Sequence, residues 1–176
     1  MSTGAYCFTV AGDLLWGRDE LKHGQALHVG KLREDVPGKQ VVIYEGASRV
    51  DPSLSDRVLT LTATGELLWD FPVVHPGMQE GGFGFWLGDW NGDGLDEVFV
   101  NDPEKVNILN GHGEIIDTLP GHLIHVFDLV GDDRVEAVVL TGIAPGFEMQ
   151  VWTNDAPNVN PATNRARTRR VTTRAM

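Results

Sequence analysis

With 176 residues the chain has room for one ordinary domain, and its 41% apolar residues are enough to bury a core, which excludes a disordered chain of low hydrophobicity and extreme charge. The formal charge of −11 is unevenly spread: the last fourteen residues hold five arginines and no acid, leaving nine basic against 25 acidic residues elsewhere, an acidic body that excludes nucleic acid as the main partner. A lone cysteine, Cys7, permits no intrachain disulfide and no zinc cluster, and no apolar run reaches the roughly 18 residues of a membrane helix.

Twenty-one glycines and nine prolines predict many turns, and no stretch keeps a helical period over three turns. The first residues lack the basic start and apolar stretch of an export signal. Residues 1–22 read as the last two strands of a β-sheet unit, near 5–10 and 13–17. A second unit, 23–78, is expected to hold strands at 26–32, 40–45, 57–63 and 66–71. A third, 79–120, holds strands at 83–88, 97–101, 105–110 and 114–118, and a fourth, 121–153, holds them at 122–128, 135–140 and 147–153. Turn signals stand at Thr64-Gly65, Asn110-Gly111 and Gly131-Asp132. Residues 154–176 read as an Asn- and Pro-rich loop followed by an Arg-rich tail.

These units repeat one another. Gly-Asp-Leu-Leu-Trp at 12–16, Gly-Glu-Leu-Leu-Trp at 65–69 and Gly-Glu-Ile-Ile-Asp at 113–117 share one pattern. Asp89 and Glu97 recur as Asp128 and Glu136. A period of about 40–50 residues, each holding four short strands, is the size of a propeller blade. The fold expected is therefore all-β: a partial β-propeller of about three four-stranded antiparallel blades plus the end of a preceding blade. A sandwich is the alternative. Trp16, Trp69 and Trp152 are expected to pack between blades.

The sharpest motif runs from Asp89 to Glu97: Asp-Trp-Asn-Gly-Asp-Gly-Leu-Asp-Glu. Calcium takes six to eight hard oxygens, at roughly 2.3–2.6 Å. Side-chain oxygens of Asp89, Asn91 and Asp93 converge if the chain curls tightly, which Gly92 and Gly94 allow. The Leu95 carbonyl supplies a further ligand and Glu97 closes the set. An EF-hand would need its closing Glu at position twelve, which is Val100, and helices on both sides. An Asx-rich turn held by its own side chains is the bland alternative. Asp128, Asp132 and Glu136 repeat positions one, five and nine, with Val130 at position three and Asp133 as a further acid, a weaker candidate site. In the second unit Lys31 takes position one, and its ammonium is expected to replace the ion and bond Asp35.

On these residues the chain resembles the FG-GAP family of calcium-binding propeller repeats, through Gly88 to Val98. Its blade hairpin, that loop, and Val151-Trp152-Thr153-Asn154-Asp155 before an Arg-rich stretch are similar to the C-terminal part of family 11 polysaccharide lyases, the rhamnogalacturonan lyases. That resemblance implies Ca²⁺ as cofactor and an acidic, pectin-type polysaccharide or other carbohydrate as partner. It also implies the remainder of the chain's own propeller as partner, an extracellular or periplasmic location, and β-elimination in the full-length protein. A general base must then lie within hydrogen-bond reach of the acidic proton. His23, His75, His112 and His122 are the candidates, His112 at its blade turn foremost. The first rival reading is a non-catalytic propeller for carbohydrate binding or adhesion. The second is a quinone-dependent dehydrogenase propeller, suggested by similarity over Ala63–Trp69, which leaves the calcium loop unexplained.

Overall fold

Strand-forming residues in period two, broken by glycine turns, build an all-β chain of antiparallel sheets, as expected. The computed structural model describes residues 4–74, 85–142, 146–155 and 171–173. A first sheet pairs β1 (Ala5–Phe8) with β2 (Leu14–Arg18). The second runs in chain order through β3 (Gly24–Gly30), β4 (Gln40–Glu45), β5 (Asp56–Leu61) and β6 (Leu67–Val73). The third holds β7 (Phe85–Gly88), β8 (Glu97–Asn101), β9 (Lys105–Leu109) and β10 (Ile115–Pro120). The fourth holds β11 (His122–Phe127), β12 (Glu136–Thr141), β13 (Glu148–Trp152) and β14 (Val171–Thr173). None of these sheets closes into a barrel, and the helical content of the described residues is one 3₁₀ turn, Ala47–Arg49.

β14 corrects the expected organisation. Residues 154–176 were expected to be loop and tail, yet Val171-Thr172-Thr173 pairs with Val151-Gln150-Met149 and completes the fourth sheet. Three residues are too short a signal to stand out from an Arg-rich stretch, and the open edge of β13 supplies what the local pattern does not.

The core lies between sheets. Because successive strand residues point to opposite faces, a strand buried on both sides feeds two neighbours. In β4, Ile43 packs with Leu21, Leu59 and Leu61 towards the first sheet, while Val42 and Tyr44 pack with Phe85, Val98 and Val100 of the third. In β8, Val98 and Val100 face the second sheet, and Phe99 turns the other way to meet Leu123, Val126 and Val139 of the fourth. The tryptophans divide in the same manner: Trp16, Trp69 and Trp152 each pack against the cluster at a different junction. First strands lie side by side, β7 touching both β3 and β11. The loops that follow β3, β7 and β11 therefore come together at one end of the sheets.

Candidate metal centre

Three loops of one design connect first to second strands. Register makes their closing residues equivalent: Gly30 faces Gln40, Gly88 faces Glu97, and Phe127 faces Glu136. All three closing side chains are buried, at 0%, 2% and 1% exposure, and each reaches back to the start of its loop. Gln40 Oε1 accepts from the Leu32 and Arg33 amides at 2.9 and 3.1 Å. Glu97 Oε2 accepts from the Trp90 amide at 2.7 Å, and Glu136 Oε2 from the Leu129 and Val130 amides at 2.7 and 3.2 Å. The loop after β3 is one residue longer, so Gln40 and not Lys39 takes this place, a shift that counting from Lys31 does not reveal.

In the third sheet, Asp89 curls its loop by accepting from Gly92 N at 2.6 Å and Gly94 N at 2.8 Å. Asp128 does the same for Gly131 N at 2.6 Å and Asp133 N at 3.3 Å. The curl needs left-handed backbone. Gly94 takes φ +88°, and its counterpart Asp133 holds φ +67°, a conformation that Asp tolerates better than most residues. The loops are also stitched to one another. Asp96 N donates to Lys31 O at 2.8 Å, and Val135 N, at the matching position, donates to Asp89 O at 2.9 Å.

The loops differ in how their charge is balanced. After β3, the Lys31 ammonium donates to the Val36 and Gly38 carbonyls at 2.9 and 3.1 Å, while Asp35 pairs with Arg33. The expected Lys31–Asp35 bond is therefore corrected: the loop turns carbonyls towards the ammonium, and the guanidinium two residues away claims the carboxylate. After β11, buried Arg134 bonds Asp132 at 3.0 Å. Two of the proposed ligands there, Asp132 and Glu136, thus share their loop with a built-in cation, which sequence reasoning passed over because Arg134 sits where Leu95 sits in the other loop. Burial raises the pKa of Glu136.

The loop from Asp89 to Glu97 has four carboxylates and no cationic residue; one of them, Asp96, accepts from the Lys31 amide at 2.8 Å. Besides the Leu95 and Trp90 backbone amides, Asp93 and Glu97 share the Asn91 amide, whose Nδ2 donates to both, at 3.1 and 3.0 Å. Burial, then the charges of Asp93 and Asp89, push the Glu97 pKa up to about 8. Burial and Asp93 also raise that of Asp89. Asp89, Asn91, Asp93 and Glu97 thus stand in one curl, with Leu95 donating its amide to Asp93 Oδ1 at 2.8 Å. Among the described residues, no group of three or more His, Cys, Asp and Glu side chains is already drawn together around a metal position. Asp89 is turned to its own loop amides and Asn91 stands between the other two acids. The donor types, all hard oxygens at short spacing, nonetheless suit Ca²⁺, with Asn91 offering its oxygen in place of its Nδ2.

A cleft of about 450 Å³ opens beside this loop, lined by Asn91, Asp93, Leu95 and Glu97 on one side and Arg33, Asp35, Asn110 and His112 on the others. Arg33 and Asn110, absent from the sequence-based candidates, join His112 here. His23 and His122 do not line the cleft: His23 O accepts from Gly46 N at 2.8 Å, and His122 opens β11, its pKa lowered by burial. His75 lies outside the described residues.

No family model matches the chain, and no curated protein matches it. A solved structure of a protein of unknown function from Bacteroides caccae is similar, at 18% identity over 97% of this chain with a TM-score of 0.41. This chain covers 54% of that protein, so it spans about half its length.

Proposed function

We propose that the four sheets are successive blades of a β-propeller arc of the FG-GAP type, and that the Asp89–Glu97 loop binds Ca²⁺. On this reading the chain is a calcium-stabilised scaffold that presents a carbohydrate-binding cleft. One observation carries the metal. Of three loops of one design, two hold a cationic side chain of their own, Lys31 or Arg134, and the third holds four acids with none. A divalent ion bound by Asp89, Asn91, Asp93, Glu97 and the Leu95 carbonyl supplies the missing charge. It would also tie β7 to β8 at the end where neighbouring sheets are stitched, and so strengthen both junctions. Calorimetric titration of metal-free protein with Ca²⁺ should give one site, lost in Asp93→Ala. Binding to the native state alone stabilises by about 2.7 kcal/mol at a hundredfold excess over Kd. A melting curve indifferent to Ca²⁺ and to chelator would sink the proposal.

A catalytic reading, the β-eliminating chemistry of a polysaccharide lyase, is favoured by one feature: His112 lines the same cleft as the metal loop. There the ion would offset the charge of a uronate carboxylate and His112 would accept the neighbouring proton. The remaining groups would come from other blades of the same propeller, in an extracellular or periplasmic setting. The 176-residue chain alone is then expected to bind acidic polysaccharide without generating the ultraviolet-absorbing unsaturated product. Robust product formation, abolished in His112→Ala, would instead assign the whole activity to this chain.

A further inference from the structure

One hairpin turn occurs three times, closing β1–β2, β5–β6 and β9–β10. In each, the first residue's amide donates to the carbonyl four residues on, and the fourth residue, a glycine, donates back to the first. The distances are 2.8 and 3.0 Å at Thr9–Asp13, 2.8 and 3.0 Å at Thr62–Glu66, and 2.9 and 2.9 Å at Asn110–Glu114. The glycines share left-handed backbone, φ +92°, +84° and +80°.

Two of these turns hold a tryptophan from the neighbouring sheet. Trp16 of β2 donates its indole N–H to Ala63 O at 3.0 Å, and Trp69 of β6 donates to Gly111 O at 2.9 Å. Each indole lies flat enough on the turn's glycine that a Cβ there would stand 2.7 Å (Gly65) or 2.9 Å (Gly113) from a ring carbon. The turn is thus an indole receptor with two parts: a carbonyl two residues before the glycine, and the bare glycine face. At Thr9–Asp13 both parts are present, as Val10 O and Gly12. Among the described residues nothing lies within 4 Å of the Gly12 Cβ position, and Val10 is fully exposed. The rim is apolar, with Phe8, Leu14 and Leu15 more than half exposed. Among the described residues, moreover, β1 has one hydrogen-bonded neighbour, where its counterparts β5, β9 and β13 have two.

Resting on the propeller reading above, we propose that the Thr9–Asp13 turn is a docking site for a tryptophan side chain carried on a β-strand of a further blade, in the Gly–acid–Leu–Leu–Trp pattern. The argument is continuity: the same turn, twice in this molecule, is already half of such an interface. A second folded copy does not fit, because Trp16 and Trp69 are both engaged and the third pattern ends in Asp117, which accepts instead from Trp90 Nε1 at 3.1 Å.

The test uses the full chain and a synthetic peptide of residues 57–74 carrying 5-fluorotryptophan at Trp69, followed by fluorine NMR. Saturable binding with a shifted fluorine resonance and slowed exchange of the Val10–Gly12 amides is expected. Gly12→Asn keeps a residue that tolerates left-handed backbone but adds a Cβ to the receptor face, and should weaken binding about tenfold or more. The Trp69→Leu peptide should not bind, a control that holds even if the Gly12 variant folds poorly. Equal binding by that peptide, or none at millimolar concentration, overturns the proposal. So does a concentration-dependent dimer of the chain alone that protects the same amides.

Discussion

Replacing Glu97 by Gln should stabilise the metal-free protein, and increasingly so as pH rises. Glu97 is 2% exposed, faces Asp89 and Asp93, and has its pKa pushed up to about 8 by burial and then by those charges. A carboxyl whose pKa is higher folded than unfolded binds its proton more tightly in the native state. Its contribution to stability is therefore intact below the unfolded value near 4.5 and is lost as pH climbs towards about 8. Each unit is about 1.4 kcal/mol, so on the order of 3 kcal/mol is forfeited by about pH 7 and 4–5 kcal/mol by about pH 8.5. Gln40 shows that the substitution fits, since it fills the equivalent position fully buried with its Oε1 on two loop amides. Urea unfolding of both proteins in chelator, at pH steps from about 5 to 8.5, should give a stability difference that grows with pH. With saturating Ca²⁺ the order should reverse, because only the wild-type carboxylate binds the ion. A difference independent of pH, or a variant less stable in chelator throughout, would show that Glu97 is not held against its charge.

Three further outcomes follow from the packing. Gly111→Ala should cost several kcal/mol or prevent folding, because its Cβ would lie 2.1 Å from Leu32 O, and backbone has no room to yield; thermal melting checks this. Trp69→Phe should lose about 1 kcal/mol with the indole bond to Gly111 O, and should couple to Gly113→Ala in a double-mutant cycle by equilibrium unfolding. Arg134→Met should destabilise by about 3 kcal/mol, since it strips a buried guanidinium from Asp132, and added Ca²⁺ should recover part of the loss; an unfolding midpoint equal to wild type in chelator would remove Arg134 from its role as internal cation.

Much of this was legible in the sequence because it is written in local rules. Short apolar, β-branched runs such as Gln40–Glu45 and Glu97–Asn101 coincide with β4 and β8, since strand preference is carried by adjacent residues. The Asp89–Glu97 curl was readable for the same reason: Asx side chains bond amides two to five residues away, so the motif carries its own geometry. Tertiary structure decided what depends on distant partners. Lys31 reaches Val36 and Gly38 rather than Asp35, a choice set by which carbonyls the longer loop turns inward. Arg134 enters its acidic loop as a buried guanidinium that pairs with Asp132 at 3.0 Å, a partner two residues away that only the folded loop brings against it. Val171–Thr173 becomes a strand because β13 offers an open edge. Trp16 and Trp69 were expected between sheets, but their receptors, the turns 47 and 42 residues onward, exist only once the sheets stack. Strand periodicity and turn chemistry are local and survive in one dimension; charge pairing and inter-sheet docking are settled where separate segments meet.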